Sequence, residues 1–392
     1  MSLRGLRLAD RWEQARSGVL LATVVVSTFA VTYGSVATYK PLFAPDSSYY
    51  AAMSMRFGGS GKQEAVRQVI EMRHLSGWPT PSTLVDRLFS WGLVQPRVVY
   101  PALSMPFVKI WGIEGLAVVP ALALAALIGV LTWMLYRRSG RLAALATVVL
   151  IMCSPRIMFY GAAMLTESLS ALWGALTLWA AWQYQRRHDW RPVAWMIALT
   201  VVSGFTRQAT LIPAGAFVTA WLVAVLLRRR PNTWGVPALA VGVTSVAVQL
   251  IQSLIFPSFS QLAQFELKTG AHSLGGALWN SPKLAARILQ HDLVLIAQTD
   301  FALLVLITLS TVSMVIFWRR AESHLLLGAF LGITLYNVTN GTPTGFRYAM
   351  PGLVFYAVSA ALLIGLAGRG RESVPVPGTP TDASQRSLLP RS

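Results

Sequence analysis

GLAVVPALALAALIGVLTWMLYRRSGR, residues 115–141, decides the fold class. The run is uncharged from Gly115 to Tyr136, and Arg137, Arg138 and Arg141 follow at once. About 20 apolar residues suffice to cross a bilayer as a helix, and basic residues gathered at one end mark a loop held on the cytoplasmic side. The same alternation recurs along the chain. Residues 19–39, 208–227, 235–256, 301–318, 325–346 and 348–368 are likewise uncharged. Two shorter stretches, 142–155 and 192–206, each end at an arginine, Arg156 or Arg207.

Composition agrees with that alternation. Of 392 residues, 54% are hydrophobic and 12% charged, about half the charge of a typical soluble domain. These values exclude a soluble globule and imply an all-α polytopic membrane protein. The net charge of +18 would suggest nucleic acid in a soluble chain. Here the arginines sit in short loops between apolar runs, so no nucleic-acid partner is implied. Arginine dominates over lysine, which occurs only at Lys40, Lys62, Lys109, Lys268 and Lys283; that bias fits a bacterial host. Cys153 is the single cysteine and cannot form an internal disulfide.

The arginine clusters set the expected topology. They are Arg4, Arg7, Arg11 and Arg16; Arg137, Arg138 and Arg141; Arg186, Arg187 and Arg191; Arg228, Arg229 and Arg230; Arg319 and Arg320; Arg369 and Arg371. If all lie inside, each segment between two clusters crosses an even number of times. Segments 142–185 and 192–227 become hairpins, and the sum is about ten transmembrane helices with both termini cytoplasmic. The expected organisation is a cytoplasmic start (1–18), a membrane-embedded domain (19–370) and a disordered cytoplasmic tail (371–392). Two long segments fall outside, at about 40–114 and 257–300. The first reads as short amphipathic helices: one that starts at Asp46 beside Pro45, where Tyr49, Tyr50, Met53 and Phe57 recur at helical spacing, a second over 63–75 and a third over 82–93. Residues 97–111 then lead along the interface into the second span.

Ionisable groups near a bilayer are costly and therefore functional candidates. Asp46 follows the first span; held at the surface among aromatics, its pKa would rise and suit a general base. Its alternative role is to cap the helix that follows. Arg347, in the Gly/Pro-bent segment between the last two spans, suits bidentate binding of a lipid phosphate, against a simple snorkelling role. Arg207 breaks the charge asymmetry and implies an anion or a carboxylate such as Glu167 beside it. Arg56, Arg97, Arg156, Glu266, Asp292 and Asp300 share the outer side. The histidines show no ligand spacing, so no metal site is assigned. Nucleotide loops of the Gly-rich type ending in Lys-Ser/Thr and Gly-x-Ser-x-Gly elbows are absent.

The order of these motifs resembles the GT-C superfamily of integral-membrane glycosyltransferases over most of residues 1–370. The resemblance rests on Pro45-Asp46-Ser47-Ser48-Tyr49-Tyr50 opening the first outer loop, and on Arg97-Val-Val-Tyr-Pro101 at its exit. Leu165-Thr-Glu-Ser168, Phe205-Thr-Arg207 and Arg347-Tyr-Ala-Met-Pro351 complete it. It implies a GT-C-like fold in the plasma membrane and transfer of a sugar from a polyprenyl-phosphate donor to a glycan, lipid or protein acceptor on the outer face. Asp46 takes the catalytic position as general base of an inverting displacement. Arg347, Arg207 and Arg97 would hold the donor phosphate, and Tyr49, Tyr50, Glu167 and Arg156 would line the substrate pocket, with Trp91 beside them. Many members carry a second acidic residue beside the first; Ser47 and Ser48 stand there instead, which leaves open whether a divalent metal takes part. Membrane lipids are the remaining expected partners. The alternative class is a transporter or flippase of a lipid-linked or anionic substrate.

Overall fold

The computed structural model describes residues 3–228, 232–256 and 260–372, with side chains between Gly18 and Leu366. The tail expected to be disordered therefore lies almost wholly outside the described residues. Among those described, all regular structure is helical. Helix α1 (Leu3–Tyr39) is followed by α2 (Ser47–Phe57), α3 (Lys62–Leu75) and α4 (Leu84–Arg87). Helices α5 (Val99–Trp111) and α6 (Val118–Ser139) are joined by a 3-10 segment, Gly112–Ala117. Next come α7 (Arg141–Met152), α8 (Pro155–Ala162), α9 (Glu167–Arg187), α10 (Trp190–Thr206), α11 (Leu211–Leu226) and α12 (Gly235–Ile255). Then follow α13 (Gln261–Thr269), α14 (Leu274–Thr299), α15 (Phe301–Ile316) and α16 (Ala321–Asn340). A second 3-10 segment, Arg347–Gly352, leads into α17 (Leu353–Glu372).

Among the described residues, four helical stretches are long and apolar enough to cross a membrane: Gly18–Tyr39, Val99–Ser139, Gly235–Ile255 and Arg347–Leu366. A fifth is added if α7 and α8, bent by 71° at their break, form one span. That bend has a local cause: Pro155 cannot continue α7, and Ser154 Oγ accepts the Ile157 N–H to cap α8. Helix α12 shows the inverted amphipathicity of a lipid-facing element. Leu239, Val243, Val246, Leu250 and Leu254 form an exposed apolar stripe, while Ser245 and Gln252 are buried. In lipid the polar side chains turn inward and bond to protein; Gln252 Nε2 donates to Gly204 O at 2.9 Å.

Helices α9 and α17 form the interior, buried along most of their length. Against them α11 and α16 meet through glycines. A Cβ on Gly328 would sit 2.2 Å from Gly215 O, and one on Gly332 2.6 Å from Leu211 O. Only glycine permits that backbone approach, the small-residue packing that membrane helices use. Gly174 does the same for α9, whose surface there lies against Pro351 O. This contact carries the segment after Arg347 onto α9, close to Glu167.

The segment expected on the outer side departs from the sequence reading in its third helix. Helices α2 and α3 lie where expected, but only Leu84–Arg87 of the expected 82–93 is helical. Pro79 and Pro81 precede it, and the chain closes turns at Ser90, Trp91 and Val94 instead. Those turns bring Trp91 onto Tyr49, with ring centroids 4.7 Å apart.

Candidate functional site

The site forms where helices stop. Asp46 lies in the turn before α2, Glu167 begins α9, Arg207 separates α10 from α11, and Arg347 opens the 3-10 segment before α17. Two irregular stretches are stitched together beneath it. Met164 N–H donates to Leu42 O at 2.9 Å, and Ser47 Oγ donates to Met164 O at 2.8 Å. Ser47 thus fastens the turn before α2 to the start of α9.

One chain of charges then links the four residues. Arg347 Nη2 donates to Asp46 Oδ2 at 2.6 Å, and Arg347 Nε to Glu167 Oε1 at 2.5 Å. Arg207 Nη1 lies 2.7 Å from the same Glu167 oxygen and 3.2 Å from Thr166 Oγ1. Its Nε donates to Tyr336 OH at 3.1 Å, and its guanidinium lies 4.9 Å from the Tyr348 ring centroid. Glu167 and Arg207 are wholly buried, whereas Asp46 keeps a quarter of its side chain exposed. Glu167 Oε2 and Arg207 Nη2 are buried without a hydrogen-bond partner among the described residues.

Arg97 completes the cluster. It is buried, donating from Nε to Gln208 Oε1 at 2.9 Å and from Nη1 to Tyr50 OH at 2.9 Å. Both partners are neutral, and no carboxylate pairs with Arg97 among the described residues. Three arginines therefore face two carboxylates, leaving one positive charge in excess.

Asp46 does not cap α2: its carboxylate makes no bond to the helix N-terminus and is given to Arg347. The expected rise in its pKa is overturned as well. Burial opposes ionisation, but Arg347, Arg97 and Arg207 together outweigh it and hold the carboxyl below its ordinary value. Tyr49 moves the other way, its phenol raised by burial and by the Asp46 charge.

The remaining candidates separate. Tyr50 is buried edge-on against Tyr100 and serves Arg97. Tyr49 and Trp91 line a cavity of about 270 Å³ that also touches Met53, Phe57 and Phe256. Arg156 does not join the charge chain; its Nη2 donates to Thr299 Oγ1 at 2.8 Å, and its guanidinium closes over Gly345. Asp300 caps α15 by accepting the Leu303 N–H, and Asp292 Oδ1 accepts the N–H groups of Thr344 and Gly345 at 2.8 and 2.7 Å. The loop so held ends in Phe346, a non-glycine residue with φ of 80°. Strain of this kind persists only where surrounding contacts over-determine it, and it comes immediately before Arg347.

Arg73 belongs to the site's support and is absent from the sequence-level candidates. It is buried, with Nη1 donating to Ser48 Oγ at 2.9 Å and Nε to Pro79 O at 3.1 Å. Among the described residues, no group of three or more His, Cys, Asp or Glu side chains is placed to hold a metal ion. Comparison of the chain with protein families, curated proteins and solved structures finds no match.

Proposed function

We propose that this chain is a membrane glycosyltransferase that moves a sugar from a polyprenyl phosphate to an acceptor hydroxyl. The observation that carries the reading is the excess charge: Arg97 is buried with only neutral partners beside a network already balanced between Arg207, Arg347, Glu167 and Asp46. A buried charge without a counter-ion is costly, and a donor phosphate supplies one. Two cavities of about 270 Å³ flank the network. One begins at Tyr49, three residues beyond Asp46; the other is mainly apolar and is lined by Phe346 and Ala349, on either side of Arg347 and Tyr348. An aromatic wall suits a sugar face, and an apolar cleft suits a lipid.

In this reading the low pKa of Asp46 belongs to the resting state. Tied to Arg347, the carboxylate is a weak base. A donor phosphate that engages Arg347 draws the guanidinium away and returns the carboxyl towards its ordinary range. Asp46 then accepts the acceptor's hydroxyl proton while that oxygen bonds to the anomeric carbon. The bond from that carbon to the phosphate oxygen breaks with inversion, and polyprenyl phosphate leaves with its charge beside Arg97 and Arg347. The shorter apolar helices, α11 and α15 among them, complete about ten crossings of a GT-C-like fold, with both termini on the arginine-rich side and the site on the outer face of the plasma membrane.

The test is sugar transfer or slow donor hydrolysis by purified protein over a panel of polyprenyl-phosphate sugars, with Asp46→Asn beside wild type. A loss of about 10²–10⁴ in rate, with donor still bound, is expected for a general base. Undiminished turnover removes Asp46 from the chemistry. The bent pair α7 and α8 favours a second reading, since discontinuous helices are common in transporters. Binding of donors with no turnover of any would move the assignment to transport.

A further inference from the structure

The far end of α9 carries a second cluster. Helix α9 rises about 30 Å over its 21 residues, which is the thickness of a bilayer's hydrocarbon core. Glu167 and the charge network stand at one end, Arg186 and Arg187 at the other. Helix α6 packs along α9 and ends beside it in Arg137 and Arg138. Between the two ends lies a cavity of about 210 Å³ whose lining adds Trp133, Trp179 and Trp182 to the arginines. A liquid water takes about 30 Å³, so the space is that of a small headgroup rather than one solvent molecule.

Its polar groups are only partly used. Arg138 pairs with Glu322 and lies 4.4 Å from the Trp182 ring centroid. Arg137, Arg186 and Arg187 are exposed and form no ion pair among the described residues. Trp179 Nε1 and Trp182 Nε1 are buried without an acceptor among the described residues, an arrangement that native interiors rarely leave. Trp133 stands 6.0 Å from Trp179 between centroids and keeps 43% of its surface exposed. Beside the Arg138–Glu322 pair the cluster thus offers three exposed guanidiniums on a tryptophan wall, the residue types that meet lipid headgroups at a membrane interface.

We propose that this cavity binds the phosphate of an anionic phospholipid from the leaflet opposite the charge network. Arg137, Arg186 and Arg187 meet the phosphate oxygens, the rings of Trp179 and Trp182 wall the cavity behind them, and the exposed face of Trp133 lies along the upper acyl chain. The proposal rests on the membrane reading alone and is independent of the sugar-transfer reaction.

The experiment reconstitutes full-length protein in phosphatidylcholine nanodiscs with and without phosphatidylglycerol. Lipid retained after release into detergent is then counted by native mass spectrometry. Wild type is expected to keep phosphatidylglycerol in preference to phosphatidylcholine. Arg186→Gln with Arg187→Gln lowers that preference about tenfold, in keeping with lost charge-assisted bonds. Arg228→Gln with Arg229→Gln removes the same charge from another arginine cluster and leaves most of the preference. Equal losses in the two double variants would reduce the effect to diffuse surface charge and overturn the site. Displacement of the lipid by inorganic phosphate would assign the cavity to a soluble anion and overturn the lipid. Trp133→Ala keeps the charge and removes the partly exposed ring expected along the acyl chain; a several-fold loss there supports the site even if the arginine variant fails to fold. Full retention in that variant overturns the role of the Trp133 face.

Discussion

The two ends of α9 place arginines in opposite circumstances. At the Glu167 end, Arg207 is wholly buried and Arg347 nearly so, and each is held by a carboxylate. At the other end Arg186 and Arg187 stand exposed, and the one ion pair nearby, Arg138 with Glu322, leaves about a third of the arginine side chain in contact with its surroundings. The residue type is the same; what differs is the cost of taking its charge out of water. A buried guanidinium is costly without a counter-ion, whereas an exposed one needs none; Arg97 and Arg73 are buried on neutral partners alone, and Arg207 and Arg347 on carboxylates. The buried end is therefore a structure whose parts hold one another in place, and the exposed end is a surface.

The sharpest way to break this contrast is to remove Glu167. Its oxygen serves both Arg347 and Arg207, so Glu167→Gln leaves Arg207 buried without a negative partner. Breaking a buried pair from one side costs about 3–5 kcal/mol. We expect a loss of that size in reversible unfolding, or a large fall in the temperature of detergent-solubilised melting. A change below about 1 kcal/mol would mean that Arg207 finds relief elsewhere.

Glu322→Gln makes the same cut at the other end. Arg138 is partly exposed and also rests on Trp182, so solvent screening takes over much of what the carboxylate supplied. The expected loss is about 1 kcal/mol. A loss equal to that of Glu167→Gln would erase the distinction between the two ends.

Much of this contrast was legible in the sequence. Uncharged runs ending in arginines located the helices, and the outer candidates Asp46, Arg97, Glu167, Arg207 and Arg347 do converge. The reason is that charges cannot scatter through an apolar chain without converging on partners. Arg73 was not seen because 63–75 reads as a short amphipathic helix, with no residue of it weighed as a site candidate. The signal was present in its spacing: Ala65, Val69 and Arg73 recur every four residues and share the buried face. Tyr336 and Tyr348, which meet Arg207 by bond and ring, carry no charge to mark them. The direction of the Asp46 pKa was misjudged because burial was weighed without the arginine that the fold brings from 301 residues away. The shortness of α7 was visible in the stretch 142–155, but that α11 and α15 stop at 16 residues each was not, because 208–227 and 301–318 are uncharged throughout.

The Asp46–Arg347 pair offers a finer test, because it is the exposed limb of the buried network. Its folded pKa lies below the ordinary carboxylate value of about 3.9. The stability it contributes is therefore complete above that value and is lost as the pH falls through the lower folded one. Wild type and Asp46→Asn should keep a constant difference in melting temperature from neutral pH to about pH 4. Below that, wild type should lose up to about 1 kcal/mol relative to the variant. A difference that already changes between about pH 7 and pH 5 would mean a raised pKa and a pair not formed in solution.

Arg186→Gln is the smallest expected effect and closes the comparison from the other side. The residue is exposed in the last turn of α9 and has no ion pair among the described residues. What it offers the fold is the interaction of a cation with the helix C-terminus, about 0.3–1 kcal/mol at low ionic strength and less in salt. We expect a change within about 0.5 kcal/mol in unfolding measured at physiological salt. That near-silence matters because Arg186 is also expected to hold lipid phosphate. A residue that barely moves stability in detergent, yet lowers retention of anionic lipid, is placed for a ligand. Were Arg186→Gln to cost several kcal/mol without added lipid, the far end of α9 would be part of the folded framework, and the two ends would differ in exposure alone.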